Sequence, residues 1–172
     1  IDLQTFNSHE SAGEFERVQH YDRSHGKDRL IDEQLEEVTE DWLEARHLRE
    51  MSFNVGHFSL EHLSAGPVFV LGNRHYIKAF CAWLPYQGGR AAVLDLIRQR
   101  RHIPAETVRA LVAQSLWMLK VLGFQEASLT TTALEREQIE SFQPRWENRY
   151  LIHPHDANVS KINRALASIQ KR

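Results

Sequence analysis

An acidic side chain stands inside an apolar run at Val93-Leu94-Asp95-Leu96-Ile97, and Arg98 follows that run directly. A carboxylate among aliphatic residues is costly to bury unless a cation or a proton-transfer task accompanies it. Arg98 is the partner candidate nearest in sequence. On a strand, residues three apart point to opposite faces, so a direct pair requires the strand to end or bulge between them. Two readings stay open. One is a structural ion pair at a strand terminus. The other is a reacting centre in which Asp95 takes part in a proton transfer.

Two further groups carry chemistry. Arg98-Gln99-Arg100-Arg101-His102-Ile103-Pro104 concentrates positive charge in one loop, and Arg100 and Arg101 can meet phosphates there. The plain alternative is a solvated basic loop. Near the C-terminus, Pro144-Arg145-Trp146-Glu147-Asn148-Arg149-Tyr150 interleaves aromatic and charged residues. That pattern offers stacking together with charged hydrogen bonds, suited to a terminal adenosine or an amino group. Trp146 reads best as a core aromatic, whereas Arg145, Glu147 and Arg149 are substrate-binding candidates. Neither His153-Pro154-His155 nor His20 with His25 has the spacing of a zinc site, so no metal is expected. Gly-x-Ser-x-Gly and P-loop patterns do not occur.

The elements that must position these groups come from 172 residues, 42% hydrophobic and 26% charged, which is ordinary composition for one folded core. A net charge of -2 excludes bulk electrostatic attraction to nucleic acid, so any binding to RNA or anionic lipid must be local. The charge is segregated: Glu33, Glu36, Glu37, Glu40, Asp41 and Glu44 crowd one stretch, read as a solvated helix face. The single cysteine, Cys81, reads as a small buried apolar residue. No apolar stretch approaches the ~18–20 residues needed to cross a bilayer, and no signal peptide opens the chain, so the expectation is a soluble domain.

Residues 1–32 show little periodicity and read as an N-terminal arm or the remnant of a preceding domain, with a short helix around Ala12 to Val18. From Glu33 the apolar positions Leu35, Val38, Trp42, Ala45 and Leu48 recur at helical spacing, predicting a helix that ends near Met51. Short apolar runs follow over 67–71, 75–84 and 91–97, separated by Gly72-Asn73-Arg74 and Gln87-Gly88-Gly89, which predicts an antiparallel meander. Pro104 precedes an amphipathic helix that Gly123 ends. Residues 124–130 and 149–152 read as strands. Val159, Ile162, Leu166 and Ile169 place a last amphipathic helix in the tail.

Several segments together are similar to one family. Asp95-Leu96-Ile97-Arg98 resembles a "DLMR" strand end, and Phe142-Gln143-Pro144-Arg145-Trp146-Glu147-Asn148-Arg149-Tyr150-Leu151 resembles an "F-x-P-x-W-E-P-R-Y-L" segment. Trp42-Leu43 with Arg46, residues 53–58 and Ala79-Phe80-Cys81-Ala82-Trp83-Leu84-Pro85 fall in the same order. These pieces resemble the cytosolic C-terminal domain of aminoacyl-phosphatidylglycerol synthases, which include the multiple peptide resistance factor. The departures are Asn148 in place of the usual proline, Ile139-Glu140-Ser141 in place of basic residues, and a short spacer over 134–141.

The resemblance implies an α+β Gcn5-related N-acetyltransferase-like fold over 33–172, a central mostly antiparallel sheet with flanking helices. In that fold the strand carrying Asp95 and the one starting at Phe124 splay apart around the acyl donor. It also implies transfer of a lysyl or alanyl group from an aminoacyl-tRNA donor to a phosphatidylglycerol acceptor. Asp95 would orient or deprotonate the attacking hydroxyl, and Arg98 would hold a phosphate or the ester carbonyl. Acetyl-coenzyme A enzymes of this fold need glycines after that strand, where Arg101 and Ile103 stand, and Pro104 lacks an N–H. The loop therefore argues against coenzyme A as donor, and because a charged tRNA is already an activated ester, the resemblance implies no cofactor. Transmembrane helices outside this chain would hold it at the cytoplasmic face of the bacterial membrane. The rival readings are a tRNA-dependent transferase acting on a peptidoglycan precursor, and a noncatalytic tRNA- or lipid-binding module of the same fold.

Overall fold

Turn residues cut the middle of the chain into apolar runs, and each run becomes a strand of one sheet. The structure is a computed structural model that describes residues 1–4, 18–46 and 58–129. Strands β1 (Val18–Tyr21), β2 (Val68–Asn73), β3 (Tyr76–Tyr86), β4 (Ala91–Gln99) and β5 (Glu126–Ser128) lie side by side in that order. β2, β3 and β4 pair antiparallel, as the meander predicts; β1, which was not predicted, adds antiparallel to β2, and β5 runs parallel to β4. A parallel neighbour requires a crossover, which helix α2 (Ala105–Val121) supplies. Asn73 shapes the β2–β3 turn by accepting from the N–H groups of His75 and Tyr76 at 2.9 and 3.1 Å.

Helix α1 (Arg29–Ala45) covers one face of the sheet and α2 the other. Leu35 and Val38 of α1 pack with Val68, Val70, Phe80 and Leu96. Leu111, Leu116 and Leu119 of α2 pack with Phe69, Leu71, Trp83 and Leu94. Each such fully buried aliphatic side chain contributes roughly 1.5–3 kcal/mol, so the two faces carry most of the stability. The helix predicted from Glu33 begins four residues earlier, because Asp28 accepts from the Leu30 N–H at 3.0 Å and caps it. Residues 47–51, where its end was predicted, lie outside the described residues. At the end of α2, Gly123 has φ 96°; its N–H bonds Lys120 and the Phe124 N–H bonds Leu119, a paired closure that satisfies the last carbonyls.

Parts of the stretch read as an arm pack into this core. Leu3 is fully buried, Asp2 bridges Glu126 alongside β5, and Val18, predicted to end a short helix, begins β1. Residues 12–17, the strand predicted at 149–152 and the tail helix lie outside the described residues.

Candidate active site

The register of β4 decides which way its charged residues point. Ala82 of β3 faces Leu96 and Trp83 faces Leu94, so Asp95 is an extra residue with no partner of its own, a β-bulge. Its effect shows in the packing: Leu94 joins the cluster beneath α2, whereas Leu96, two residues on, joins the cluster beneath α1. Unbroken alternation would put both on one face. The bulge shifts the phase, and Arg98 comes to the α1 face, where its guanidinium lies 3.8 Å from the Trp42 ring centroid. Arg46 meets the same ring at 4.4 Å. A cation held against an indole is weakly hydrated and fixed in direction, which suits recognition of a planar or anionic group.

Asp95 meets a residue that its own strand does not carry. His62 Nε2 lies 2.9 Å from Asp95 Oδ2, in a contact where the Asp95 side chain is 7% exposed and that of His62 is 40% exposed. Arg98, the partner expected from sequence, is turned to Trp42 instead. His62 opens a short 3-10 turn, His62–Ala65, which three features hold in place. Leu63 is buried among the α1-face residues. Arg23 donates to Ser64 Oγ at 3.0 Å. Gly66 lies so close to β3 that a Cβ there would stand 2.0 Å from the Trp83 carbonyl oxygen. Arg23 in turn grips Asp32 through Nε and Nη2 at 2.9 and 2.8 Å, and the Tyr21 hydroxyl donates to the same carboxylate at 2.9 Å. Hydrogen bonding to Asp32 raises the pKa of Arg23, and burial raises that of Tyr21.

The basic loop is engaged from the α1 side. Arg100 bonds Glu37 at 2.8 Å, Gln34 at 3.0 Å and the Ile77 carbonyl at 2.8 Å. The Arg101 N–H donates to Asp41 at 2.7 Å, and its guanidinium stands 3.5 Å from Glu44. The acidic stretch, read as a solvated face, thus supplies three carboxylates to this loop. A pyrophosphate would need such N–H groups; the one at Arg101 is given to Asp41, and Pro104 at the cap of α2 has none.

The pairing of β4 with β5 covers Ala91 to Val93 only; beyond it, among the described residues, β4 is paired with β3 alone. Asp95 and Arg98 lie on that further part. Arg145, Glu147 and Arg149 lie outside the described residues. Sequence reasoning missed His62 and Arg23. His62 is one of ten histidines and lies 33 residues from Asp95, with no local pattern to distinguish it. Cys81 is fully buried, and burial pushes its thiol up to about 12.

Comparison with known proteins agrees with this architecture. Residues 15–147 match the family described as phosphatidylglycerol lysyltransferase, C-terminal. The phosphatidylglycerol lysyltransferases of Staphylococcus haemolyticus (strain JCSC1435) and Staphylococcus aureus (strain COL) are each 25% identical to the chain, covering 73% and 77% of it. The chain spans only 19% and 20% of those relatives. Among solved structures, the C-terminal domain of a protein described as a lysylphosphatidylglycerol synthetase from Agrobacterium fabrum superposes with a TM-score of 0.63 at 22% identity. That match covers 75% of this chain and 44% of the other. L-PGS from Bacillus licheniformis gives 0.60 at 22% identity, covering 79% and 46%. An aminoglycoside acetyltransferase from a soil metagenomic sample gives 0.53 at 12% identity, covering 85% of this chain and 99% of the enzyme. The fold is therefore Gcn5-related N-acetyltransferase-like. With its sheet, its bulged strand and 133 consecutive positions, 15–147, inside the family's match, the chain belongs to the family of phosphatidylglycerol lysyltransferase C-terminal domains.

Proposed function

We propose that the chain is the transfer unit of an enzyme that moves a lysyl or alanyl group from charged tRNA to a glycerol hydroxyl of phosphatidylglycerol. The observation that carries this reading is the bulge at Asp95, around which Asp95 meets His62 and Arg98 lies on Trp42. An aminoacyl ester is already activated. The protein's work is then to position it, relieve the hydroxyl of its proton and stabilise the oxyanion. Asp95 orients or deprotonates the attacking hydroxyl, and Arg98 holds the carbonyl oxygen or a phosphate. Arg100, Arg101, Arg145, Glu147 and Arg149 bind substrate, the first two by exchanging their α1 carboxylates for phosphates. The reaction needs no cofactor.

No helix among the described residues is long and apolar enough to cross a membrane. We assign the membrane attachment to other parts of the full-length protein and this unit to the cytoplasmic face, where charged tRNA and the lipid headgroup meet. Esterification with lysine reverses the headgroup's charge and lowers attraction for cationic peptides. The test is transfer of radiolabel from charged tRNAs to phosphatidylglycerol vesicles, with Asp95→Ala alongside. Label that appears in the lipid and vanishes in the variant, with tRNA affinity little changed, supports the reading. Label in a peptidoglycan precursor, or tRNA binding without turnover, replaces it with one of the two rivals.

A further inference from the structure

We infer that His62, rather than the carboxylate it meets, takes the proton from the attacking hydroxyl, and that Asp95 is the group that orients it. This rests on the transfer reading above and names the base within the same site. Exposure separates the two side chains: that of Asp95 is 7% exposed and that of His62 is 40% exposed, so an incoming hydroxyl reaches the ring first. The geometry also selects the tautomer. Nε2 faces Asp95 Oδ2 at 2.9 Å and donates to it, which leaves the lone pair of a neutral ring on Nδ1, with no hydrogen-bond partner among the described residues. A buried carboxylate behind an imidazole fixes its orientation and stabilises the cation formed when the ring accepts a proton.

The ring is held for this task. The His62 N–H donates to Ser59 Oγ at 3.0 Å, Leu63 is buried, and the Ser64 hydroxyl is tied through Arg23 to Asp32. A base must stay within hydrogen-bond reach of its proton, and a turn fastened at three successive residues meets that need.

In the step itself, the lipid hydroxyl oxygen forms a bond to the carbonyl carbon of the aminoacyl ester as its proton passes to His62 Nδ1. The tetrahedral intermediate collapses, the bond to the ribose oxygen of the tRNA breaks, and the proton on Nδ1 passes to that oxygen. The ring ends neutral, and Asp95 stays ionised throughout.

The experiment uses the full-length protein with charged tRNA and phosphatidylglycerol vesicles. His62→Gln keeps a donor for Asp95 but has no basic nitrogen, and it should lower kcat by about 100-fold or more, the usual weight of a general base, with KM little changed. Imidazole added to His62→Gly should restore turnover. Asp95→Asn, which keeps the ring but misdirects it, should fall between wild type and His62→Gln. Wild-type turnover in His62→Gln beside an inactive Asp95→Ala would overturn the inference, make Asp95 the base and leave the transfer reading standing. Failure of the wild-type protein to label any lipid would instead remove the transfer reading, and this inference with it.

Discussion

Asp32 and Asp95 are both largely withdrawn from water, with side chains 13% and 7% exposed, yet their partners differ in kind. Asp32 is closed on every side: Arg23 takes both of its oxygens, Tyr21 adds a hydroxyl, and the guanidinium is itself only 3% exposed. A guanidinium does not lose its proton in proteins, so Arg23 has none to exchange with an incoming group, and the pair serves as a joint between β1, α1 and the turn that carries His62. Asp95 is held by a half-exposed imidazole, which can change charge and can be reached from outside. Burial of a carboxylate is thus no signature of function by itself. The partner's capacity to exchange a proton with an incoming group marks the site.

The largest test of this contrast is Arg23→Met. It strands a buried carboxylate and should cost about 3–5 kcal/mol in urea unfolding, the range for breaking one side of a buried pair. His62→Gln, by contrast, leaves Asp95 a half-exposed hydrogen-bond donor and should cost no more than about 1 kcal/mol. Equal losses would mean that both pairs are joints.

Gly66→Ala probes the link between them. Its backbone is extended (φ -166°), so torsion is no obstacle; the added Cβ meets the Trp83 carbonyl and Pro85. Overpacking of that kind should cost roughly 1–3 kcal/mol. Turnover at a temperature where the variant is fully folded should fall as well, because the turn moves His62 away from Asp95. A variant that melts lower but keeps full turnover would free the site from this turn.

A smaller effect is expected at the basic loop. Replacing Arg100 or Arg101 by Ala should lower the slope of tRNA affinity against salt by about 1 each, and at Arg101, whose side chain is 46% exposed, stability should change by less than about 1 kcal/mol. An unchanged slope would leave these arginines as bridges to α1 alone. The smallest effect is at Cys81, whose thiol lies at about 12. At about pH 8 it should resist iodoacetamide in the native protein and react once unfolded, which can be followed by mass spectrometry.

The meander and α2 were legible because alternation, paired turn residues and a Gly123 stop are local signals. β1 was not legible: four residues carry too little pattern, and Val18–Tyr21 is a strand because β2 offers it an edge. The bulge was also hidden. Sequence reasoning established that Asp95 and Arg98 could share a face only if the strand were interrupted. Where the extra residue falls depends on the register with Ala82 and Trp83, a property of two strands together.

By itself the sequence determined that a carboxylate and a guanidinium sit at the end of an apolar strand, that Arg100 and Arg101 follow, and that a meander of strands precedes an amphipathic helix. Those are statements about residue type and period, which travel with the chain. Only the tertiary structure decided that His62 meets Asp95 across 33 residues, that Arg98 lies on Trp42, and that α1 carboxylates hold the basic loop. Each joins groups far apart in sequence, and no local pattern records which of ten histidines or which acidic helix face the sheet will bring within hydrogen-bond reach.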